Sequence, residues 1–425
     1  MRLRLLLAAA ATASLAACAV ETSGPSGDPS PSQDRAPSTA AEEAPATGPL
    51  GWGPTAGELD QARELIADWD SDRLAGQLIV GRYAGTDPAE VRALVEKLHL
   101  AGVCVTSDNV ADTDQVMATT QAVRDAMAAD GRDFPAVIGV DQEGGTVSHL
   151  RGVATDFPPF ASAGAAIEAD RKQGRKVVRQ ASYAMAMELR ALGFTWVFAP
   201  VADVTIGAAD PTIGSRSPSE DPKIAARATA AAVKGFNAAG VVSTTKHFPG
   251  HGGVTSDSHT SLPVLSSTFA ELEKHDLVPF RAGVQAGAPA VMMSHIAVEA
   301  FDARRPASLA PAAYDVLRDT GGFQGIAITD SMGMGAVMGF DQPGIKALVA
   351  GADLLLMPAD TAKTHAAVSR AIESGRIPRE RAEEAAARVI AVQLWQQRIA
   401  ANKQVPTDVV EKAQTASDKL ADLGG

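Results

Sequence analysis

The hexapeptide GIAITD, residues 325–330, is an almost continuously apolar run that ends on an aspartate. Short runs of this kind are typical of a strand buried on both faces, as in a parallel sheet. The aspartate would then stand at the carboxyl end of the strand. The stretch therefore predicts one strand of a parallel sheet with a charged group at one end.

Seven further runs have the same texture along the chain. They are GQLIVG from Gly76, AGVCVT from Ala101, PAVIGV from Pro135, FTWVFAP from Phe194, GVVSTTK from Gly240, PAVMMSH from Pro289 and ADLLLMP from Ala352. Segments of helical period lie between them, such as residues 87–100 and 221–240, and several open on Asp or Thr and close on Gly. Eight such units predict an α/β fold, a single (β/α)8 TIM-type barrel with C-terminal helices. A doubly wound open sheet is the main alternative.

Titratable side chains stand where the predicted strands end. In chain order they are Asp141, Asp203, Lys246 with His247, His295 and Asp330. The carboxyl ends of all strands meet at one face of a barrel, which is where barrel enzymes place their active sites. We therefore expect these side chains to surround one site.

The composition excludes one class of partner. The chain has 425 residues, with 50 Asp and Glu against 38 Lys and Arg, and a formal net charge of -12. Such a charge repels phosphates, and no basic stripe counters it, so nucleic acid is not expected as a partner. Of the two cysteines, Cys104 lies in an apolar run and is predicted to pack in the core, so no disulfide framework is expected.

The N-terminus predicts export. Residues 1–18, MRLRLLLAAAATASLAAC, combine two arginines with an apolar run too short to cross a bilayer. The LAAC ending resembles a bacterial lipobox, which implies that Cys18 is lipidated and holds the protein on a membrane. The expected location is the extracytoplasmic face of the cell membrane.

The remainder divides by composition. Residues 19–57 are rich in Pro, Ser, Thr and Ala and are predicted to form a disordered tether, since they offer little apolar surface to bury. Residues 58–400 are assigned to the barrel, and residues 401–425 to a polar helical tail.

The stretch KHFPGHGGVTSDSHTSLP, residues 246–263, concentrates histidines among glycines and prolines. His247 and His251 are four residues apart, as zinc ligands on a helix often are, but Pro249 prevents a regular helix there. No cysteine or glutamate lies nearby. The sequence therefore predicts no metal site.

Asp257 and His259 in the same stretch favour acid–base chemistry. In an extended loop, residues separated by one position point the same way. A carboxylate beside an imidazole orients the ring and gives a proton donor and acceptor that works near neutral pH. A surface turn without a catalytic role is the alternative.

These motifs together resemble those of family-3 glycoside hydrolases, in their NagZ-type β-N-acetylglucosaminidase branch. The resemblance covers most of the chain, from about Ala75 to Trp395, and rests on KHFPGHG followed by DSH, on GVDQEGGTV at 139–147, on GSRSPSEDP at 214–222 and on GIAITDSMGMGAV at 325–337. It implies a retaining mechanism through a covalent glycosyl-enzyme. The nucleophile would be Asp330, and His259 would be the acid/base, oriented by Asp257.

The resemblance also implies a set of sugar-binding residues, without a cofactor or a metal. They are Asp141, Arg216, Lys246 and His247. Salt bridges from Asp141 to Lys246 or Arg216, without a role in binding, are the alternative. Asp203 is expected to order neighbouring basic side chains instead of touching sugar.

The function predicted from the sequence is that of a monomeric exo-β-N-acetylglucosaminidase. It would release terminal N-acetylglucosamine from peptidoglycan fragments, outside the membrane that anchors it. The alternatives are a phosphorylase that uses phosphate as acceptor, a β-glucosidase of the same family, and a wall-binding lipoprotein without catalytic activity.

Overall fold

The computed structural model describes residues 48–425. The predicted signal sequence, the lipidation of Cys18 and most of the predicted tether lie outside the described residues.

Eight parallel strands close into a barrel. They are β1 (Ile79–Gly81), β2 (Gly102–Val105), β3 (Val137–Val140), β4 (Trp196–Val197), β5 (Val242–Phe248), β6 (Ala290–Met293), β7 (Ile326–Ser331) and β8 (Leu354–Leu356). Each strand pairs with its neighbours in the chain, and β8 closes the circle by pairing Leu355 with Ile79 of β1. The predicted barrel is confirmed, all eight predicted runs contain a strand, and the open-sheet alternative is wrong.

Large side chains fill the interior of the barrel where glycine makes room. A side chain at Gly139 of β3 would collide with the ring of Phe198, which is itself fully buried. Trp196 of β4 is buried as well, and its Nε1 donates to the hydroxyl of Thr244 at 2.6 Å. The centre of the barrel is therefore a packed core, and the open space lies at the strand ends.

Fifteen α-helices lie in the described part of the chain. They are α1 (Ala56–Ile66), α2 (Ser71–Gln77), α3 (Pro88–Leu98), α4 (Thr113–Ala129), α5 (Ala161–Ala169), α6 (Arg171–Ala191), α7 (Pro222–Ala239), α8 (Phe269–Lys274), α9 (Leu277–Gln285), α10 (Pro311–Asp315), α11 (Gly335–Met338), α12 (Pro343–Ala350), α13 (Thr361–Glu373), α14 (Arg379–Ala401) and α15 (Val409–Gly424). Five short strands lie outside the barrel. They are Gln142–Gly144, which pairs with Val147–Ser148, and Val264–Leu265, Ala297–Val298 and Asp302–Pro306, which form a small sheet.

The helix signals of the sequence act as expected in α7. The side chain of Asp221 accepts a hydrogen bond from the N–H of Lys223, Pro222 occupies the first turn, and Gly240 ends the helix with a φ of 78°. A left-handed residue after a helix favours glycine. The first predicted strand is different, because Gly76 and Gln77 belong to α2, leaving only Ile79–Gly81 as β1.

The folded unit begins earlier than the predicted boundary at residue 58. Trp52 is buried, and the indole of Trp395 from α14 lies against Gly53. The hydroxyl of Thr55 caps α1, and Glu58 pairs with Arg398 of α14 at 2.6 Å. The predicted tether is therefore wrong for residues 48–57, in which Gly53 packs against the distant Trp395 and Thr55 caps α1.

The predicted C-terminal tail is helical, as α15, but it is part of the packed structure. Its buried residues include Val409, Ala413 and Leu420, and it lies against α5 and α6. Ser417 donates to the carbonyl of Asp156 at 2.9 Å. Within residues 48–425, no helix is both long and apolar enough to cross a bilayer.

Candidate active site

A cavity of about 570 Å³ opens at the carboxyl ends of the strands. Its lining contains six of the seven predicted catalytic and sugar-binding residues, namely Asp330, His259, Asp141, Arg216, Lys246 and His247. The seventh, Asp257, stands behind His259 and hydrogen-bonds to it. The fold thus brings together residues that are far apart in the sequence.

Asp330 is the carboxylate that the end of β7 presents to the cavity. Its Oδ1 accepts the N–H of Ser331 at 2.7 Å. Burial by itself would raise the pKa of Asp330, but His247, His295, the Ser331 N–H and Lys246 outweigh it and lower the pKa to about 2. The carboxylate is therefore ionised at neutral pH, as a nucleophile must be.

His295 supports the segment that carries Asp330. Its Nε2 lies 3.0 Å from the carbonyl oxygen of Ser331, and its Nδ1 lies 2.7 Å from the hydroxyl of Ser308. A carbonyl only accepts, so Nε2 bears the proton and Nδ1 accepts from Ser308. Burial, the largest influence, lowers the pKa of His295, which favours this neutral form. His295 therefore holds the nucleophile strand in place and is not a proton donor to substrate.

A network of two carboxylates and two cations forms one wall of the cavity. Lys246 Nζ lies 2.5 Å from Asp141 Oδ1 and 2.6 Å from Glu143 Oε1. Glu143 also binds Arg216 through both of its oxygens, at 2.8 and 2.9 Å. Parallel bonds of this type fix the plane of the guanidinium group. The network holds four charged side chains in position in this wall of the cavity.

The charges of the network are mutually stabilised. Burial by itself would raise the pKa of Glu143, but Arg216 and Lys246 hold it well below its usual range. Burial would lower the pKa of Lys246, but Asp141 and Glu143 raise it. Glu143 and Lys246 are therefore charged at neutral pH, and charged groups form strong hydrogen bonds with hydroxyl and amide groups.

Glu143 is the member of this network that the sequence interpretation missed. The salt bridge from Asp141 to Lys246, which the sequence offers as the alternative to a binding role, is present, but Arg216 pairs with Glu143 and not with Asp141. Glu143 is two residues after Asp141 in the quoted motif and lies in the first strand of a tight hairpin. The signal was its place beside a predicted site residue, but its partner lies 73 positions away.

Asp203 orders two histidines, as expected. Its Oδ2 lies 2.6 Å from Nδ1 of His247, and its Oδ1 accepts the backbone N–H groups of His247 and His251. A carboxylate only accepts, so Nδ1 of His247 bears a proton and Nε2 is turned toward Arg216 at 3.4 Å. Asp203 is fully buried and thus fixes the ring of His247 from behind.

Asp257 and His259 form the expected pair, but not in an extended loop. Asp257 Oδ1 accepts the backbone N–H of His259 at 2.9 Å and lies 2.7 Å from its Nδ1. This turn brings the two side chains into contact. In an extended loop they would point the same way without touching. The imidazole is 62% exposed on the cavity side, and its Nε2 has no hydrogen-bond partner among the residues that the structure describes.

The histidines of the loop have separate partners. His247 binds Asp203, whereas His251 Nε2 lies 2.8 Å from the hydroxyl of Ser258. Within residues 48–425 no three His, Cys, Asp or Glu side chains are grouped in a way that could hold a metal ion.

The rim of the cavity contains residues that the sequence interpretation did not single out. They include Arg82, His149, Arg151, Thr212 and Met357. Arg82 directly follows β1, so it shares the strand-end position that identified the other site residues. The rim adds cationic and apolar side chains around the cavity, beside the charged wall.

Known proteins of one family are similar to this chain in sequence. Residues 71–392 match the profile of the glycosyl hydrolase family 3 N terminal domain. A beta-hexosaminidase of Stenotrophomonas maltophilia is 40% identical over 261 residues, which cover 61% of this chain and 75% of that protein.

Two solved structures are similar in fold. A family 3 beta-N-acetylglucosaminidase from Paenibacillus has a TM-score of 0.76 and 30% identity, over 83% of this chain and 68% of that one. A beta-N-acetylhexosaminidase from Beutenbergia cavernae has a TM-score of 0.70 and 29% identity, over 77% of this chain and 99% of that one. The chain belongs to glycosyl hydrolase family 3.

Proposed function

We propose that the protein hydrolyses terminal β-linked N-acetylglucosamine by a two-step, retaining mechanism. At the level of enzyme class, the chain is a glycoside hydrolase of the β-N-acetylhexosaminidase type. The observation that carries the proposed mechanism is the joint presence of Asp330 and His259 in one cavity, beside a charged wall suited to a sugar.

In the first step, a carboxylate oxygen of Asp330 attacks the anomeric carbon. His259, as the imidazolium, donates its Nε2 proton to the glycosidic oxygen, so the carbon–oxygen bond breaks and the alcohol leaves neutral. The product is an ester between the sugar and Asp330. Asp257 accepts from Nδ1 throughout, which stabilises the cation and keeps Nε2 toward the linkage.

In the second step, water replaces the departed alcohol. The neutral His259 removes a proton from the water as its oxygen attacks the anomeric carbon, and Asp330 leaves as the carboxylate. The sugar is released with its original configuration, and His259 is again the imidazolium. The low pKa of Asp330, about 2, makes it a good leaving group.

The charged wall supplies the sugar contacts in this proposal. Asp141, Arg216, Lys246 and His247 line the cavity and present donors and acceptors of fixed orientation. Because Glu143 and Asp203 hold three of them from behind, little side-chain entropy is lost when a sugar binds. The hydroxyl and acetamide groups of N-acetylglucosamine are ligands that suit these donors and acceptors.

Trapping the covalent intermediate tests the mechanism. A fluorinated N-acetylglucosaminyl fluoride reacts with the nucleophile and then turns over slowly, so peptide mapping by mass spectrometry identifies the labelled residue. We expect the label on Asp330. A label on any other residue would overturn the assignment.

Replacing His259 tests the acid/base role. In His259→Ala, hydrolysis of an aryl N-acetyl-β-glucosaminide with a poor leaving group should fall by about 10² to 10⁴-fold. A dinitrophenyl glycoside needs no proton for departure, so its first step should be nearly unchanged. Added azide should restore turnover, because it attacks the intermediate without base catalysis. Equal losses for both substrates would exclude this role.

A phosphorylase remains the second candidate, on the strength of one observation. The acid/base is an imidazole, which has no fixed negative charge to repel phosphate, and Arg82 and Arg151 stand on the same rim. Assays with and without phosphate separate the two reactions, since hydrolysis yields the free sugar and phosphorolysis yields the sugar 1-phosphate. We expect the free sugar in both.

The substrate and the location follow from the N-terminal sequence. A lipidated Cys18 and a tether would hold the enzyme outside the membrane, where peptidoglycan fragments are released. We expect release of N-acetylglucosamine from muropeptides, and loss of the protein from the membrane fraction in Cys18→Ala. Membrane retention of that variant would contradict the anchor.

A further inference from the structure

The loop that carries the Asp257–His259 pair is docked on the segment that follows the nucleophile strand. We call residues 249–261 the dyad loop. The backbone N–H of Gly335, at the start of α11, donates to the carbonyl of His259 at 3.0 Å. The next N–H, that of Ala336, donates to the carbonyl of Ser258 at 3.2 Å.

Ser258 fixes the same part of the loop through a contact with His251. It is buried, whereas the flanking side chains of Asp257 and His259 are 43% and 62% exposed. Its hydroxyl lies 2.8 Å from Nε2 of His251, whose backbone N–H donates to Asp203. The pair is thus presented to the cavity by a segment that is fixed on its other side.

The first half of the dyad loop is held by close backbone packing. A side chain at Gly252 would lie 2.3 Å from the carbonyl of Val204, and one at Gly250 would lie 2.7 Å from Cβ of Asp276. These contacts do not involve α11. The contacts of Gly335 and Ala336 therefore tie the acid/base to the segment after the nucleophile strand, and that of Gly335 is the one made to His259 itself.

Glycine is required at position 335 because of this contact. A Cβ there would lie 2.7 Å from the carbonyl oxygen of His259 and 3.0 Å from the carbonyl carbon of Thr260. Real Cβ atoms do not approach backbone so closely, so the loop would have to move away. Gly335 does not have a positive φ, so its own backbone does not require glycine.

We propose that Gly335 is a positioning residue, whose missing side chain lets the dyad loop close on the end of β7 and sets His259 against Asp330. The proposal deepens the mechanism given above and rests on it. It places the geometry of the acid/base under the control of a residue that touches neither sugar nor imidazole.

The test is Gly335→Ala, with Gly339→Ala as the matched control. Gly339 lies four residues further in the same segment, has a φ of -77°, and has open space where a Cβ would stand. Both variants add one methyl group to the same stretch, but only the first displaces the dyad loop. Thermal unfolding of both verifies that they fold.

Leaving-group dependence is the readout that a merely structural defect would not produce. In Gly335→Ala, kcat for an aryl N-acetyl-β-glucosaminide with a poor leaving group should fall by about 10²-fold. The dinitrophenyl glycoside should lose less than about threefold in its first step, and azide should restore its turnover. Gly339→Ala should lose less than about twofold with either substrate.

Trapping with the fluorinated glycosyl fluoride separates this proposal from the proposed function. The rate of labelling at Asp330 should be the same in the wild type and in Gly335→Ala, since fluoride departs without a proton. Equal losses for both aryl substrates, slower labelling of the variant, or no loss at all would each overturn the role of Gly335. Failure to label Asp330 in the wild type would instead refute the mechanism.

Discussion

Two clusters of buried charge lie at opposite ends of the barrel and differ in how their carboxylates are satisfied. At the amino end of β8, Asp353 accepts from Arg318 at 2.6 Å, Arg381 at 2.8 Å and Arg388 at 3.2 Å, and from the N–H of Ala327 at 2.9 Å. Its carboxylate is fully buried and surrounded by protein donors.

At the carboxyl end, the carboxylate of Asp330 has a single hydrogen bond among the described residues, from the N–H of Ser331. The cations Lys246 and Arg216 of the same cavity are paired with Asp141 and Glu143 instead. Both Asp330 and Asp353 have a pKa of about 2, so the charge alone does not distinguish them. A carboxylate whose oxygens are bonded to several protein donors stabilises the fold, whereas one that faces a cavity with few partners is available for chemistry.

The largest expected effect is that of Asp330→Asn. Since an amide is not a nucleophile here, kcat should fall by about 10⁴-fold or more. The melting temperature should change by less than about 4 °C, because the side chain has few protein partners. Steady-state kinetics and calorimetry measure the two quantities. Unfolding of the variant would break the comparison, since it would make Asp330 a structural residue.

The converse is expected of Asp353→Asn. Three arginines would lose their common anion, and the free energy of unfolding should fall by about 3 to 5 kcal/mol. The kcat of the folded fraction should stay within about twofold of wild type, since the change lies at the other end of the barrel. Denaturant unfolding and active-site titration check this. A loss of kcat per titrated site would show that the two ends are coupled.

A smaller effect is expected of Glu143→Gln. Glu143 is bonded to protein cations, as Asp353 is, but those cations line the cavity that contains Asp330. The amide keeps the shape of the side chain but removes the charge that Lys246 and Arg216 share, so both cations lose orientation. Loss of charged hydrogen bonds should lower kcat/KM by about 10 to 100-fold. Exposed Glu168→Gln is the control for the same change of charge. If both variants behave alike, the network does not serve the site.

The smallest effect is expected from pH. The pKa of Asp330 is lowered to about 2, so the carboxylate stays charged as the pH falls and is protonated only near that value. The rate of labelling by a fluorinated glycosyl fluoride should therefore be flat from about pH 4 to about pH 7. A tenfold decline over this range would mean that Asp330 has a higher pKa and is not stabilised as a charge.

The sequence predicted the barrel and most of the site because both depend on local signals. Eight apolar runs gave the strands, and the strand-end positions of Asp141, Lys246 and Asp330 followed from them. The roles assigned to Asp330 and His259 came from the family resemblance and remain predictions. The geometry adds that both line one cavity.

Contacts between distant segments could not be predicted in the same way. Glu143 pairs with Arg216, 73 positions away, and Gly335 meets the dyad loop only because β7 and β5 end at the same face. Trp52 and Gly53 were assigned to the tether because their local composition is that of a linker. The partner of Gly53, Trp395, is more than three hundred positions further on. No window of local sequence contains such information.

The pairing of β1 with β8 has a consequence for how the chain folds. Ile79 pairs with Leu355, which lies far along the chain. The sheet therefore keeps two open edges until β8 has been synthesised. Unpaired edges invite association with other chains, and distant pairings form slowly. A chain truncated before Leu354 should therefore aggregate rather than leave a smaller soluble enzyme. Synthesis in the cell will depend on keeping the incomplete barrel shielded until its last strand arrives.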